Sequence, residues 1–283
     1  MRSVAHTPHS SDSTTPRSKN TRRSSTALPR WAGFSAAVAC LFLAVPLLAL
    51  LARVPIARVP QVIAQPSVRD ALTLSLTTAA TAALIATVIG VPTAWWLAHN
   101  THRVGGFVRT VVSVPLVLPP VVTGVALLYT FGRRSWIGGW FEAFGIQIPY
   151  SVAAIVIAQT FVAMPFLVTN MESAFTTLGS KHFEAGLTYG MSPFRAFFSV
   201  VLPAVKPAAI ASIALGFARA LGEFGATLTF AGAIKGHTQT LPTAINEFLG
   251  YDLDAALTAS AIMLLISCII LGVLRMRTKG QAL

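Results

Sequence analysis

The chain has 283 residues, of which 54% are apolar and only 11% are charged, and its formal net charge at pH 7 is +12. Soluble domains carry about twice that charged fraction. The composition therefore excludes an ordinary soluble domain, a disordered protein, a disulfide-stapled secreted domain and a nucleic-acid binder with a polar surface. A basic excess in so apolar a chain is typical of the cytoplasmic loops of a membrane protein.

The first segment, residues 1–30, differs from the rest of the chain. It contains twelve Ser or Thr residues, six basic residues and almost no large apolar side chains. Such a segment buries too little surface to offset its ordering entropy. We predict a disordered basic cytoplasmic tail.

Six apolar stretches follow, each long enough to cross hydrocarbon about 30 Å thick. They predict an all-α polytopic membrane protein with six transmembrane helices. The first stretch has 21 uncharged residues. It is longer than a secretory signal core, so we expect a retained helix and an outer loop over residues 31–69. The stretches are Ala32–Ala52, Ala71–Ala98, Thr110–Gly132, Ala143–Met171, Pro207–Ile234 and Ala255–Leu274.

The basic residues predict the sidedness of the chain. With both termini in the cytoplasm, the inside segments hold 14 of the 21 Lys and Arg residues and the outside segments hold six. The opposite orientation would invert the positive-inside bias. We therefore expect a multi-pass membrane protein that has both termini in the cytoplasm and ends in a cytoplasmic tail over residues 277–283.

Two of the spans carry polar residues or helix breakers that a plain apolar helix does not need. The second is rich in Ser and Thr, which either pack helices closely or line a polar pathway. The third contains Pro115, Pro119 and Pro120, which must bend or break the helix. Broken backbone at membrane depth is tolerated against protein or a water-filled cavity. The alternatives are therefore a kinked packing helix and a translocation pathway or gate whose candidate residues are Pro119, Pro120, Thr123 and Gly124.

The fifth span carries two charges, Arg219 and Glu223, spaced so that they share one helical face. Ionisable groups at membrane depth are costly and often mark an ion path or a protein-facing pair. The same spacing also suits a structural salt bridge. Both interpretations remain open, and Gly222 and Gly225 would allow a local break beside the pair.

The inner loop over residues 172–206 has the pattern of two short capped helices. Ser180 can cap a helix over Lys181–Tyr189 that Gly190 would end in the left-handed conformation. Ser192 can cap a second helix with Pro193 at its first position. The pattern predicts a rigid cytoplasmic unit suited to docking with a soluble partner.

This loop resembles the EAA loop of ABC importer permeases. That motif reads Glu-Ala-Ala, three residues, Gly, nine residues and Ile-x-Leu-Pro. This chain keeps the spacing but has Gly186 for the second alanine and Val200 for isoleucine, and Gly186 is expected to loosen the short helix slightly. The matching positions, which the resemblance assigns to coupling with an ATPase, are Glu184, Ala185, Gly186, Gly190, Leu202 and Pro203.

Three further segments narrow the resemblance, which covers about residues 70–276, to the molybdate/sulfate ABC importer permease family. Pro115–Gly124 is similar to the third span of these oxyanion importers, and Ala218–Thr227 is similar to their arginine–glutamate segment. Thr238–Ile245, in the last outer loop, looks most like the molybdate permeases. Sulfate permeases share the arginine–glutamate segment but usually differ in that loop.

The resemblance implies a type I (MetI-like) permease fold and an importer in which a separate ATPase drives alternating access. The complex would contain a second copy of the chain as a homodimer, two cytoplasmic ABC ATPase subunits and an extracytoplasmic substrate-binding protein. Molybdate would cross the lipid bilayer of the bacterial cell membrane at the interface of the two permeases, with sulfate or tungstate as the alternative substrate. No cofactor and no nucleic-acid partner is implied.

The chain carries no motif for chemistry of its own. It has no Gly-Lys dipeptide, hence no P-loop, and its six histidines show no HExxH spacing. We predict no catalytic residues and no metal site. A gradient-driven transporter that uses Arg219 and Glu223 as a relay, and a membrane-embedded enzyme, are the less favoured alternatives.

Overall fold

The computed structural model describes residues 30–279 of the chain and the side chains of residues 31–272. The predicted basic tail lies outside the described residues except for Arg30, where the first helix begins. The last helix continues to Lys279, three residues into the predicted C-terminal tail. The described residues form helices and no strand, which confirms the all-α class.

Fourteen helices follow one another in the described part of the chain, with a 3₁₀ turn at Ile56–Arg58 and a π-helical turn at Phe197–Val201. They are α1 (Arg30–Ala52), α2 (Val59–Ala64), α3 (Pro66–His99), α4 (Arg103–Val117), α5 (Pro120–Phe131), α6 (Trp136–Ala143), α7 (Val152–Leu178), α8 (Lys181–Thr188), α9 (Pro193–Ala196), α10 (Leu202–Ala204), α11 (Lys206–Leu221), α12 (Gly225–Ala231), α13 (Leu241–Phe248) and α14 (Leu253–Lys279).

Among the described residues, four continuous helices are long and apolar enough to cross a membrane, and two bent pairs bring the number to six if each pair counts as one span. The continuous helices are α1, α3, α7 and α14. The axis turns by 117° between α4 and α5, and by 81° between the segment 193–204 and α11. The count agrees with the predicted six spans, but the third and fifth are not single rods.

The predicted fourth span starts nine residues too early. Residues 144–151 form a loop, with Gly145 at φ 75°, and α7 begins only after Ser151, whose hydroxyl accepts a hydrogen bond from the Ala154 amide. The uncharged run Ala143–Met171 therefore joins the end of α6, a loop and most of α7. Absence of charge does not distinguish an apolar loop from a helix.

The helices α3 and α7 run parallel and form the centre of the compact unit that begins at Ala49. Small residues line their contact, among them Ala79, Ala82 and Ala163, all fully buried. Small side chains let helix backbones approach closely where lipid offers no hydrophobic driving force. Leu97 and Phe175 pack together at one end of the pair, which sets the parallel direction.

The chain divides into two units, one ending at Leu48 and the other beginning at Ala49. The first unit contains most of α1, which has no buried residue in its apolar window. A helix that is apolar on every side suits a lipid environment.

Candidate functional site

The loop predicted to dock a soluble partner folds as the two helices α8 and α9. Glu184 lies in the first turn of α8 and is exposed, and Ala185 beside it is exposed as well. Ser180 precedes the helix, but its side chain makes no capping hydrogen bond, so the predicted cap is wrong. Ser192 caps α9 as predicted, with its hydroxyl accepting a hydrogen bond from the Arg195 amide at 3.4 Å.

Two glycines define the turn and the contact between these helices. Gly190 has φ 79°, and the amide of the next residue donates to the Gly186 carbonyl at 3.1 Å, which ends α8 in the predicted left-handed turn. Gly186 is buried against α9, where an added Cβ would lie 3.0 Å from Ala196 Cβ. The departure from the family's alanine therefore serves close packing, whereas the sequence alone suggested a looser helix.

An aromatic cluster attaches the two-helix unit to the long helices. Trp95 of α3 has its ring centroid 5.4 Å from Phe183 of α8, 5.1 Å from Phe175 of α7 and 5.4 Å from Phe197 of the π-helical turn. Edge-on aromatic pairs at such distances add about 0.5–1.5 kcal/mol beyond their buried area. The cluster holds α8 firmly against α3 and α7, and sequence reasoning missed it because its members are far apart in the chain.

Leu202 and Pro203 form α10 after the π-helical turn. Leu202 packs against the same apolar cluster as Trp95, whereas Pro203 is exposed. The 81° bend follows directly, between α10 and α11. These two motif residues therefore connect the α8–α9 unit to the start of the apolar helix α11.

The third span breaks at Leu118 and Pro119, not at Pro115, which lies inside α4. Both break residues are extended, with ψ 133° and 136°. Each precedes a proline, whose ring disfavours the helical conformation of the residue before it. The tandem prolines therefore account for the break, and Pro120 starts the new helix α5 at its first position.

The two predicted pathway segments meet where α5 crosses α12. An added Cβ on Gly124 would lie 2.6 Å from Thr229 Cβ and 2.9 Å from the Ala226 carbonyl oxygen. A Cβ on Gly225 would lie 2.7 Å from Pro120 Cβ. The buried Thr123 lies next to this crossing. Glycine on both sides brings the two broken spans into backbone contact.

Alanine at position 124 is expected to destabilise the protein. The new methyl group meets backbone and a β-branched side chain, so the helices must separate at a cost of about 1–3 kcal/mol. This exceeds the gain of about 1 kcal/mol for replacing glycine in a helix. The matched control is Gly106→Ala in α4, where nothing lies within 4 Å. Thermal unfolding in detergent should show a lower Tm for Gly124→Ala and an equal or higher Tm for the control, and equal values would contradict the close contact.

Arg219 and Glu223 form an ion pair at the end of α11. Arg219 Nη1 lies 2.8 Å from Glu223 Oε2, and the glutamate side chain is only 1% exposed. The other carboxylate oxygen accepts a hydrogen bond from the Ala226 amide at 2.9 Å. Glu223 thus joins α11 to α12 across the break at Gly222, a role that the i, i+4 spacing did not reveal.

The hydroxyl groups of the second span fall on two different faces of α3. Ser75 is buried and accepts a hydrogen bond from the Leu241 amide at 2.7 Å, and Thr78 is buried beside it. Thr77 and Thr81 are exposed, and each hydroxyl donates to the carbonyl four residues earlier. The buried face serves helix packing, and the exposed face is available for a polar lining.

Sequence reasoning also missed a buried amide. Gln159 of α7 is fully buried, and neither its nitrogen nor its oxygen has a hydrogen-bond partner among the described residues. The hydroxyl of Thr227 in α12 is buried and unpartnered in the same way. Each such group costs about 1–3 kcal/mol. A glutamine at membrane depth was the available signal, since polar residues there are commonly functional.

The position of Gln159 follows from its neighbours along α7. Ala158 packs in a cluster with Ala226 of α12, and Ala163 packs in a cluster with Leu221 of α11. Gln159 lies between these two levels, opposite the break in the fifth span. The unpartnered amide therefore lies at the level of α7 that packs beside the interrupted fifth span.

The motif Thr238–Ile245, which was predicted to lie in the last outer loop, begins with a compact polar turn. The Thr238 hydroxyl accepts a hydrogen bond from the backbone amide of Ile234 at 3.1 Å. The side-chain amide of Gln239 donates a hydrogen bond to the Glu247 carboxylate. Lys235 Nζ lies 2.8 Å from Glu247. The hydrogen bond and the charge of Glu247 raise the pKa of Lys235.

The chain was compared with known protein families, and one of their sequence models matches most of it. The model is described as "Binding-protein-dependent transport system inner membrane component", and it matches residues 86–277.

Curated relatives match most of the chain. The "Molybdenum transport system permease protein ModB" of Mycobacterium tuberculosis is 43% identical over 249 residues, which cover 88% of this chain and 94% of the relative. The "Sulfate transport system permease protein CysW" of a Synechocystis strain is 33% identical over 204 residues, which cover 72% of this chain and 74% of the relative.

Two solved structures share the fold. A structure titled for the inward-facing MetNI methionine ABC transporter has a TM-score of 0.56 and 17% sequence identity. The match covers 74% of this chain and 94% of the chain in that structure. A structure of a bacterial ABC transporter involved in alginate import has a TM-score of 0.65 and 13% sequence identity. The match covers 89% of this chain and 96% of the chain in that structure.

Proposed function

The chain belongs to the family of inner membrane components of binding-protein-dependent transport systems, as a permease of the ModB type, and from this we propose that it imports molybdate. It is a multi-pass membrane protein with the MetI-like permease fold. The observation that carries the substrate proposal is the 43% identity to a molybdenum permease over 88% of the chain. The proposed substrate is the tetrahedral molybdate dianion.

The proposed energy source is a pair of cytoplasmic ABC ATPase subunits, each of which would grip one α8–α9 unit. Glu184 and Gly190 are the proposed coupling positions, together with Ala185, Gly186, Leu202 and Pro203. The exposed first turn of α8 supports this proposal, and so does the aromatic cluster, because a firmly held helix transmits displacement. With the α8–α9 unit facing the cytoplasm and six spans in the chain, both termini would also lie in the cytoplasm.

The proposed route for the ion is the interface between two copies of the chain, with access alternating between the two sides. The breaks at Pro119 and Gly222 supply places where helices can pivot. Pro120, Thr123 and Gly124 would line or gate the route. An extracytoplasmic binding protein would deliver the ion, and the ion would favour one state only through its different affinity for the two.

Sulfate is the second candidate substrate, and tungstate the third. The 33% identity to a sulfate permease over 72% of the chain favours sulfate specifically. All three ions are tetrahedral dianions, so a shared pathway is chemically reasonable. The higher identity and longer match to the molybdenum permease place molybdate first.

Uptake into proteoliposomes tests this function. The vesicles hold the complete complex of permease, ATPase and binding protein, and receive radiolabelled molybdate in competition with sulfate or tungstate. We expect ATP-dependent molybdate uptake that an uncoupler leaves unchanged and that excess sulfate suppresses only weakly. Preferential sulfate uptake would overturn the substrate, and uptake without ATPase that an uncoupler abolishes would overturn the energy source.

The arrangement of Glu223 argues against the gradient-driven alternative. One of its carboxylate oxygens accepts from Arg219 and the other from a backbone amide, which suits a structural pair better than a proton relay.

A further inference from the structure

A pocket of about 490 Å³ opens where α5 ends, at the opposite end of α7 from α8. Its polar side chains come from three segments: Tyr129 of α5, the turn before α6, and the loop before α7. α7 has 27 residues and so is about 40 Å long. We call this feature the Tyr129–Tyr150 pocket; it is lined by Leu128, Tyr129, Gly132, Arg133, Arg134, Ser135, Gln147, Pro149 and Tyr150.

The charges around the pocket favour an anion. Arg133 is neutralised by Glu142, with Nε 2.8 Å from the carboxylate. Arg134 is exposed and forms no ion pair within the described part of the chain. No acidic residue lines the pocket. One guanidinium with five N–H donors therefore remains for an external partner.

The remaining polar groups of the pocket can donate as well. Tyr129 and Tyr150 are 79% and 50% exposed, and their hydroxyls and the Gln147 amide form no side-chain hydrogen bond to another residue with described coordinates. Phenolic and amide donors beside a guanidinium match the four oxygens of a tetrahedral dianion. A pocket of mixed donors on exposed side chains should bind such an ion weakly, which suits an ion that must be released again.

The backbone at Tyr150 is strained in a way that fixes this side chain. Tyr150 has φ 60°, and it is the only non-glycine residue with positive φ among the described residues. Its amide donates to the Phe230 carbonyl of α12 at 3.3 Å, and its ring lies beside Gly232, where an added Cβ would come within 3.3 Å of it. Backbone strain of this kind persists only where surrounding contacts impose it, and it occurs often at functional sites.

The pocket is continuous with the proposed route of the ion. Its wall is the end of α5, and Tyr150 is bonded to the end of α12. These two helices are the ones in backbone contact at Gly124 and Gly225. An ion in the pocket would therefore lie at the outer end of the two broken spans.

We propose that the Tyr129–Tyr150 pocket binds the transported tetrahedral oxyanion, with Arg134, Tyr129, Tyr150 and Gln147 as its donors. The proposal rests on the proposed function, because it makes this pocket the first station of molybdate after release from the binding protein. The unpaired guanidinium also attracts the dianion by its field, an effect that salt weakens.

The test uses the complete transporter in nanodiscs of phosphatidylcholine, without binding protein. Binding of radiolabelled molybdate is measured by scintillation proximity, and molybdate imported per ATP hydrolysed is measured in proteoliposomes. Arg134→Gln should weaken binding and lower the import ratio about tenfold, as loss of a charge-assisted contact predicts. Tyr150→Phe should have a smaller effect, and Arg134→Lys should restore part of both. The matched control Arg69→Gln removes an exposed charge from the start of α3, outside this pocket, and should change neither.

Two results would overturn the proposal. The first is an unchanged import ratio and unchanged molybdate binding in Arg134→Gln. The second is loss of co-purified anionic phospholipid in that variant with molybdate binding intact, which would assign Arg134 to a lipid phosphate. Either result leaves wild-type uptake in place, whereas failure of the proposed function removes wild-type uptake itself.

Discussion

Replacing Glu184 by lysine is expected to abolish complex formation with the ATPase and, with it, substrate uptake. The side chain is exposed in the first turn of α8, where it forms no ion pair within the described part of the chain, so the permease should still fold. Loss of favourable charge at the helix N-terminus costs only about 0.3–1 kcal/mol. A reversed charge in a docked interface costs several kcal/mol, which corresponds to about a 100-fold loss of affinity or more.

Co-purification of tagged permease with the ATPase checks this expectation, together with uptake by the reconstituted complex. The control is Asp70→Lys, the same change of charge on an exposed carboxylate near the start of α3. That variant should retain the ATPase fully. If Glu184→Lys also retains it and transports normally, the α8–α9 unit is not the coupling element.

Alanine at position 223 is expected to cause the largest loss of stability among these variants. It leaves Arg219 as an uncompensated charge with a side chain only 30% exposed, and removal of one partner of a buried pair costs about 3–5 kcal/mol. It also removes the hydrogen bond to the Ala226 amide, which acts as a helix cap worth about 0.5–2 kcal/mol. Thermal unfolding in detergent should show a greatly lowered Tm and poor recovery of folded protein.

A double variant separates structure from function at this pair. Arg219→Met with Glu223→Gln removes both charges but keeps an oxygen that can accept from Ala226. If the pair is structural, this variant should regain most of the lost Tm and transport molybdate. Recovery of Tm without uptake would instead assign the charges to the ion path. Glu142→Ala, which breaks the exposed pair with Arg133, should shift the Tm little because exposed pairs contribute about 0–1 kcal/mol.

Much of the fold is predictable because apolar length and backbone chemistry act locally. The second span was predicted as Ala71–Ala98 and lies inside α3, and tandem prolines correctly located a break in the third. Gly190 and Ser192 were assigned correctly because left-handed glycine and hydroxyl caps depend on a few adjacent residues. The fourth span was misjudged where the apolar loop before α7 carries no charge to mark it.

The candidate site was less predictable because its contacts join distant residues. Trp95 meets Phe183 across 88 positions, and no periodicity within either helix indicates the pairing. The spacing of Arg219 and Glu223 placed them on one helical face but left their role open. It did not indicate the cap on α12, since that hydrogen bond depends on where the helix breaks. Gln159 gave a visible signal, a polar residue in an apolar run, whose meaning required the positions of its neighbours.

If the α8–α9 unit docks an ATPase as proposed, the parallel helices α3 and α7 would carry its movement to their opposite end. Phe183 packs against Trp95 at one end of the α3–α7 pair, and Tyr150 lies just beyond the other end. The helix α7 is about 40 Å long. A tilt of about 10° around the end packed against Phe183 would carry the far end sideways by about 7 Å, by the length of α7 alone. A small movement of the α8–α9 unit would then become a larger displacement at the far end of the two helices.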